Sequence, residues 1–133
     1  TRMETPITAL YAGLFGIKLI VLSARISLGR MRYRVGIGSG GERRLERMIR
    51  VQGNFVEYIP VALLLLLLNE LNHASAFFLH AIGIALLAGR LLHAVGLSQY
   101  AGRSFARWTG TGLTWIPILI LSGNLLYLSF ASF

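Results

Sequence analysis

The sequence predicts an all-α membrane protein, a bundle of four transmembrane helices. Three observations carry that prediction. Charged residues are scarce, four apolar runs are each long enough to cross a bilayer, and basic residues crowd only two of the three joins between them. Of the 133 residues, 55% are hydrophobic and 14% are charged, where a soluble domain carries about 25% charged residues. Mean hydropathy is +0.65. A helix needs about 20 apolar residues to cross a hydrocarbon layer of about 30 Å. Residues 1–133 therefore hold a single domain with four spans, at about 6–28, 46–69, 74–97 and 106–131. Helices are expected because lipid cannot satisfy open backbone groups.

The first span carries Lys18 and Arg25, seven residues apart and so on one face. Arg25 and Arg30 can snorkel to the interface, whereas Lys18 is expected to face other helices. Ala9 with Gly13, and Ala12 with Gly16, allow close helix packing. The run does not read as a secretory signal, because its basic flank follows the apolar segment. The join that follows, "GRMRYRVGIGSGGERRLER", contains "GIGSGG". No strand precedes those glycines and no Gly-Lys-Ser/Thr follows, so a flexible linker is expected rather than a phosphate loop.

The second span has a polar helical extension before its apolar core. Arg43, Arg47, Arg50, Asn54 and Glu57 are spaced 4, 3, 4 and 3, which lays them along one stripe. A charge at the centre of a span costs about 2.5–3.5 kcal/mol on insertion scales and calls for a partner or a function. Glu57 has two readings: a salt bridge, to Arg50 or a neighbouring helix, and direct contact with a ligand. Pro60 removes a backbone donor and crowds the carbonyl of Val56, so a kink is expected there.

The third span carries Arg90 and His93, three apart on one face, and His80 farther from the basic end. His80 is expected to be an interhelical hydrogen-bonding group. The fourth opens with Arg103, Arg107, Thr111 and Thr114, spaced 4, 4 and 3 on one stripe. Tyr100 and Trp108 fit an interfacial aromatic belt.

Arg30, Arg32, Arg34, Arg43, Arg44, Arg47 and Arg50 cluster at the first join, and Arg103 and Arg107 at the third. The second join and the C-terminal end carry no Lys or Arg. The positive-inside rule then places loops 1–2 and 3–4 in the cytoplasm and both termini outside. The net charge of +8, from 13 Lys+Arg against 5 acidic residues, is read as topology plus an anionic ligand, not as nucleic-acid binding. With no cysteine, disulfides, thiolate metal sites and cysteine nucleophiles are excluded. His73, His80 and His93 lack metal-ligand spacing, so no metal is expected.

The basic ends of the spans thus offer Arg30, Arg50, Arg90, Arg103 and Arg107, with the carboxylate of Glu57, the amide of Asn54 and the imidazole of His93. Guanidinium forks bind carboxylates or phosphates in bidentate fashion, and a glutamate among them could take an ammonium. An anionic lipid headgroup fits, and so does a small peptide such as glutathione.

"ERMIRVQGNFVEYIP", Glu46 to Pro60, with "GRLLH", Gly89 to His93, resembles the membrane-associated proteins in eicosanoid and glutathione metabolism. That family includes microsomal glutathione transferase, leukotriene C synthase, prostaglandin E synthase and bacterial relatives. The spacing of Lys18 and Arg30 and the long basic first loop are similar as well. The resemblance implies a homotrimer of four-helix protomers, here a bacterial-type member in the inner membrane. It implies glutathione as co-substrate, bound between subunits by Arg30, Arg50, Asn54, Glu57, Arg90 and His93. Arg107, or Arg103 in an alternative alignment, would stand beside the thiol. A lipophilic small-molecule substrate, an electrophile or hydroperoxide, would enter from membrane lipid. The chain departs from the pattern at Gly53, Leu97 and Trp108, where relatives carry a basic residue, a tyrosine and a serine. The implied activity is that of a glutathione transferase or peroxidase. The alternative is a non-enzymatic protein of the same fold that binds lipid or a small anion.

Overall fold

A computed structural model describes residues 2–99 and 105–133, without side-chain detail at 97–99. It contains four helices: α1 (Pro6–Tyr33), α2 (Arg43–Leu71), α3 (Ala76–Gln99) and α4 (Phe105–Ala131). All four are long and apolar enough to cross a membrane. Most of each apolar window is left uncovered by the other helices, as befits side chains that face lipid. Exposed Ile17, Ile20, Phe77, Leu119 and Phe130 belong to that surface.

The helices overrun the apolar runs at the basic end. α1 continues past Leu28 to Tyr33, and α2 already begins at Arg43. Arginine and methionine are good helix formers, so the apolar run marks the lipid layer and not the helix end. α1 stops where Arg34 turns left-handed, φ 57°, and the amide of Val35 reaches the carbonyl of Arg30 at 3.0 Å. The linker between α1 and α2 contains a turn. Gly38, Gly40 and Gly41 all take positive φ, and a Cβ on Gly40 would lie 2.7 Å from Val35 Cγ2. Arg30 Nη1 donates to the carbonyl of Gly38 at 2.6 Å. Pro60 and Pro117 both sit inside continuous helices.

The core lies mainly between α1, α2 and α3, with Phe15, Leu22, Phe55, Ile59, Leu66 and Leu86 at its centre and Leu121 of α4 closing it. Phe15 and Phe55 meet edge to face, 5.9 Å apart. The end away from the arginines is fastened by polar contacts. Glu70 accepts from the amides of Ile7 at 3.1 Å and Thr8 at 3.1 Å, so a carboxylate from α2 caps α1. Asn124 Nδ2 donates to Asn69 Oδ1 at 2.6 Å, and Asn69 Nδ2 donates to the carbonyl of Leu65 at 2.8 Å. His80 does bond between helices: its Nδ1 lies 3.0 Å from the Tyr11 hydroxyl. Gly83 makes room for Tyr11, since a Cβ there would run into the ring. Gly13 and Gly16 play no such part within the chain, because a Cβ on either would meet nothing within 4 Å.

α3 and α4 form the most extensive pairing. A Cβ on Gly89 would lie 2.9 Å from the carbonyl oxygen of Gly110, and one on Gly110 would lie 2.6 Å from that of Gly89 and from the amide of His93. The two backbones therefore touch at these glycines. This crossing positions the polar cluster described next.

Candidate functional site

At the Gly89–Gly110 crossing, α3 turns Arg90 and His93 into the protein, 3% and 5% exposed. Arg107 lies one turn before Gly110 on α4 and is half-buried. Asn54 and Tyr58, four residues apart on α2, face the same place. Arg90 Nη1 donates to Asn54 Oδ1, and the Arg90 guanidinium stands 5.9 Å from the centre of the Tyr58 ring. Tyr58 in turn packs against Trp115 of α4, centroids 6.5 Å apart. Nε of Arg90 is buried and has no hydrogen-bond partner among the described residues. Among the described residues, the cations Arg90, Arg107, Arg50 and Lys18 lie within electrostatic range of His93. The site is strongly positive and its deepest cation is held by a neutral amide.

Arg50 and Glu57 occupy the outer side of α2. Their side chains approach to 3.9 Å, so the salt-bridge reading of Glu57 holds within the chain. Both are more than half exposed in the protomer. Arg107 also makes a contact within the chain. Arg30 is turned to the loop, on the Gly38 carbonyl. Arg103 and Tyr100 lie outside the described residues. Lys18, half-buried, lines a groove between α1 and α3 as its expected inward placement requires. No group of three or more His, Cys, Asp or Glu that could hold a metal occurs among the described residues.

The stripe on α2 is divided. Arg47 points into a cavity against α1, while Asn54 reaches α3. Positions repeating at 3.5 residues drift about 20° per heptad on a straight helix, and the stripe runs through two heptads. The spacing of charged residues does not single out Tyr58 and Trp115. The available signal is Tyr58 four places after Asn54.

Residues 8–127 match the MAPEG family. The chain belongs to that family. It is also 42% identical over 123 residues to the protein called inner membrane protein YecN of Escherichia coli K12, covering 92% of each chain. The protein of that name from E. coli O6:H1 matches to the same extent. MAPEG membership and the four long apolar helices make this a membrane protein of the family whose motifs "ERMIRVQGNFVEYIP" and "GRLLH" it carries.

Proposed function

We propose that this MAPEG protein is a glutathione-dependent transferase or peroxidase of the bacterial inner membrane, acting on a lipophilic electrophile or hydroperoxide. The observation that carries the reading is the state of Arg90. It is 3% exposed, bonded to a neutral amide, and its Nε has no hydrogen-bond partner among the described residues. A buried cation without a counter-charge is costly, and an anionic ligand would supply the missing one. Glutathione fits the donor set. Its carboxylates suit Arg90, Arg50 and His93, and its ammonium suits Glu57, with Asn54 as an amide contact. Arg30 would come from a neighbouring protomer of a homotrimer. The relatives' name, inner membrane protein, supports the inner membrane as location, and the crowding of arginine supports cytoplasmic loops 1–2 and 3–4 with both termini outside.

Arg107 would carry the chemistry, with Arg103 as the alternative. A free thiol ionises at about pH 8.5. A fixed guanidinium nearby favours the thiolate, and each tenfold gain in the thiolate-to-thiol ratio is worth about 1.36 kcal/mol. The arginine stays protonated throughout. With an aryl halide the sulfur–carbon bond forms as the carbon–halogen bond breaks and halide leaves.

The experiment is conjugation of glutathione to 1-chloro-2,4-dinitrobenzene by protein in detergent, with thiolate absorbance recorded in parallel. Arg107→Ala should lower both by at least about tenfold, about 1.4 kcal/mol of transition-state stabilisation. Unchanged rates would sink the assignment. The second reading, a non-enzymatic binder of lipid or a small anion, is favoured by Gly53. Among the described residues a Cβ there would meet only Arg50 Nη1, at 3.7 Å, so the space beside Arg50 lacks a further polar group from that position. Stabilisation by glutathione without conjugation would select it.

A further inference from the structure

A second cationic site lies apart from the Asn54–Arg90 cluster and shares no residue with it. It is a cavity of about 440 Å³ between the C-terminal half of α1 and the first turns of α2. Arg25 and Arg32 enter it from α1, and Arg44 and Arg47 from α2, beside Tyr33. The sequence builds it simply. Residues seven apart on α1 and three apart on α2 share a face, and Gly29 between the α1 arginines lets the helices close. A Cβ on Gly29 would already touch Leu45 Cδ1 at 3.2 Å. No carboxylate lines the cavity, and none of the four arginines is ion-paired among the described residues. Like charges gathered around one space repel, so the arrangement suits a bound oxyanion. Guanidinium forks match phosphate oxygens, and basic pockets between membrane helices accept phosphate headgroups.

A second cavity decides between a soluble phosphate and a lipid. Arg25 also lines a largely apolar groove of about 500 Å³ between α1 and α3, walled by Leu14, Val21, Leu87 and Leu91, with Lys18 as its other cation. From Arg25 back to Leu14 the groove follows α1 for about 16 Å at 1.5 Å per residue, the scale of an acyl chain. One side chain thus borders both a polyarginine cavity and an apolar channel. We propose that Arg25, Arg32, Arg44 and Arg47 bind the phosphate of an anionic phospholipid, with an acyl chain laid in the α1–α3 groove.

The test uses the full chain in neutral detergent, with thermal unfolding and native mass spectrometry as readouts. Phosphatidylglycerol should remain bound and raise the melting temperature by about 5 °C, while phosphatidylcholine, inorganic phosphate and glycerol 3-phosphate should not. The double variant Arg44→Gln/Arg47→Gln should lose that shift and the retained lipid. Arg34→Asn/Arg43→Gln removes equal charge outside the cavity and should keep both. Leu91→Trp fills the groove without changing charge and should weaken retention, which keeps the test sound if the arginine variant folds poorly. An equal shift with inorganic phosphate would assign the cavity to a soluble anion and overturn the proposal. So would equal lipid loss in both double variants, a Leu91→Trp protein that retains lipid unchanged, or a wild-type protein indifferent to phosphatidylglycerol. Stabilisation by glutathione should persist in Arg44→Gln/Arg47→Gln. Its loss there would merge the two sites and also overturn the proposal, whereas its absence in the wild type would count only against the glutathione reading.

Discussion

Arg90 and Asn54 show how much of a buried polar contact resides in what is left when it is broken. Asn54 Oδ1 accepts from Arg90 Nη1, and the Nε of Arg90 already lacks a partner among the described residues. Asn54→Leu would strip the guanidinium of that acceptor. An orphaned buried polar group costs about 1–3 kcal/mol, and more when charged. The variant should therefore melt several degrees below the wild type without added ligand. Replacing both partners removes the orphan, so Asn54→Leu/Arg90→Leu should be more stable than Asn54→Leu alone. Melting curves of Asn54→Leu, Arg90→Leu and the double variant in one detergent check this, and simple additivity of the two single losses would contradict it. The polar residues were legible in the sequence because each is anomalous in an apolar span. Their partners were not. Spacing places Asn54 and Glu57 on one stripe of α2, yet Asn54 binds α3 while Glu57 pairs with Arg50 on the outside. The stripe is wide enough to serve two neighbours, and one sequence does not say which neighbours stand there.

Helix positions followed from composition, but helix contacts did not. The four apolar runs were visible because charge is so sparse in them. The Gly89–Gly110 crossing was invisible, since a glycine is close-packed only by virtue of what lies opposite. Gly110→Ala would set a Cβ at 2.6 Å from the Gly89 carbonyl and the His93 amide, both backbone atoms. Overpacking of this kind typically costs about 1–3 kcal/mol. Gly112 is two residues away, with nothing among the described residues within 4 Å of its Cβ position. Gly112→Ala should be neutral or stabilising, by up to about 1 kcal/mol of helix propensity. The pair is best compared by thermal unfolding, and Gly110→Ala should also lower glutathione conjugation because Arg107 and His93 are parted. Equal melting of the two variants would mean the helices do not cross there. At the opposite end, Glu70 holds the first amides of α1. Hydrogen bonds to a charged group contribute about 1.5–3 kcal/mol, so Glu70→Ala should fray α1. Hydrogen exchange at Ile7 and Thr8 should quicken while that of α4 stays unchanged.

At the scale of the whole molecule, the Arg50–Glu57 pair points beyond one chain. It lies on a helix bound for the membrane, yet both side chains are more than half exposed in the protomer. Hydrocarbon is a poor place for either. A neighbouring copy covering this face of α2 would shield the pair and supply Arg30, which its own protomer ties to the Gly38 carbonyl. Magnitude separates the alternatives. A solvent-exposed pair is worth about 0–1 kcal/mol, whereas removing one partner of a buried pair costs about 3–5 kcal/mol. Wild-type protein in mild detergent, measured by native mass spectrometry, should appear as three copies of 14.6 kDa. Glu57→Gln keeps the shape and removes the charge. If a neighbour buries the pair, the variant should dissociate to single chains at detergent levels where the wild type stays assembled. A wild-type protein found only as single chains, or a variant that dissociates no more readily than wild type, would mean that no second copy covers this face.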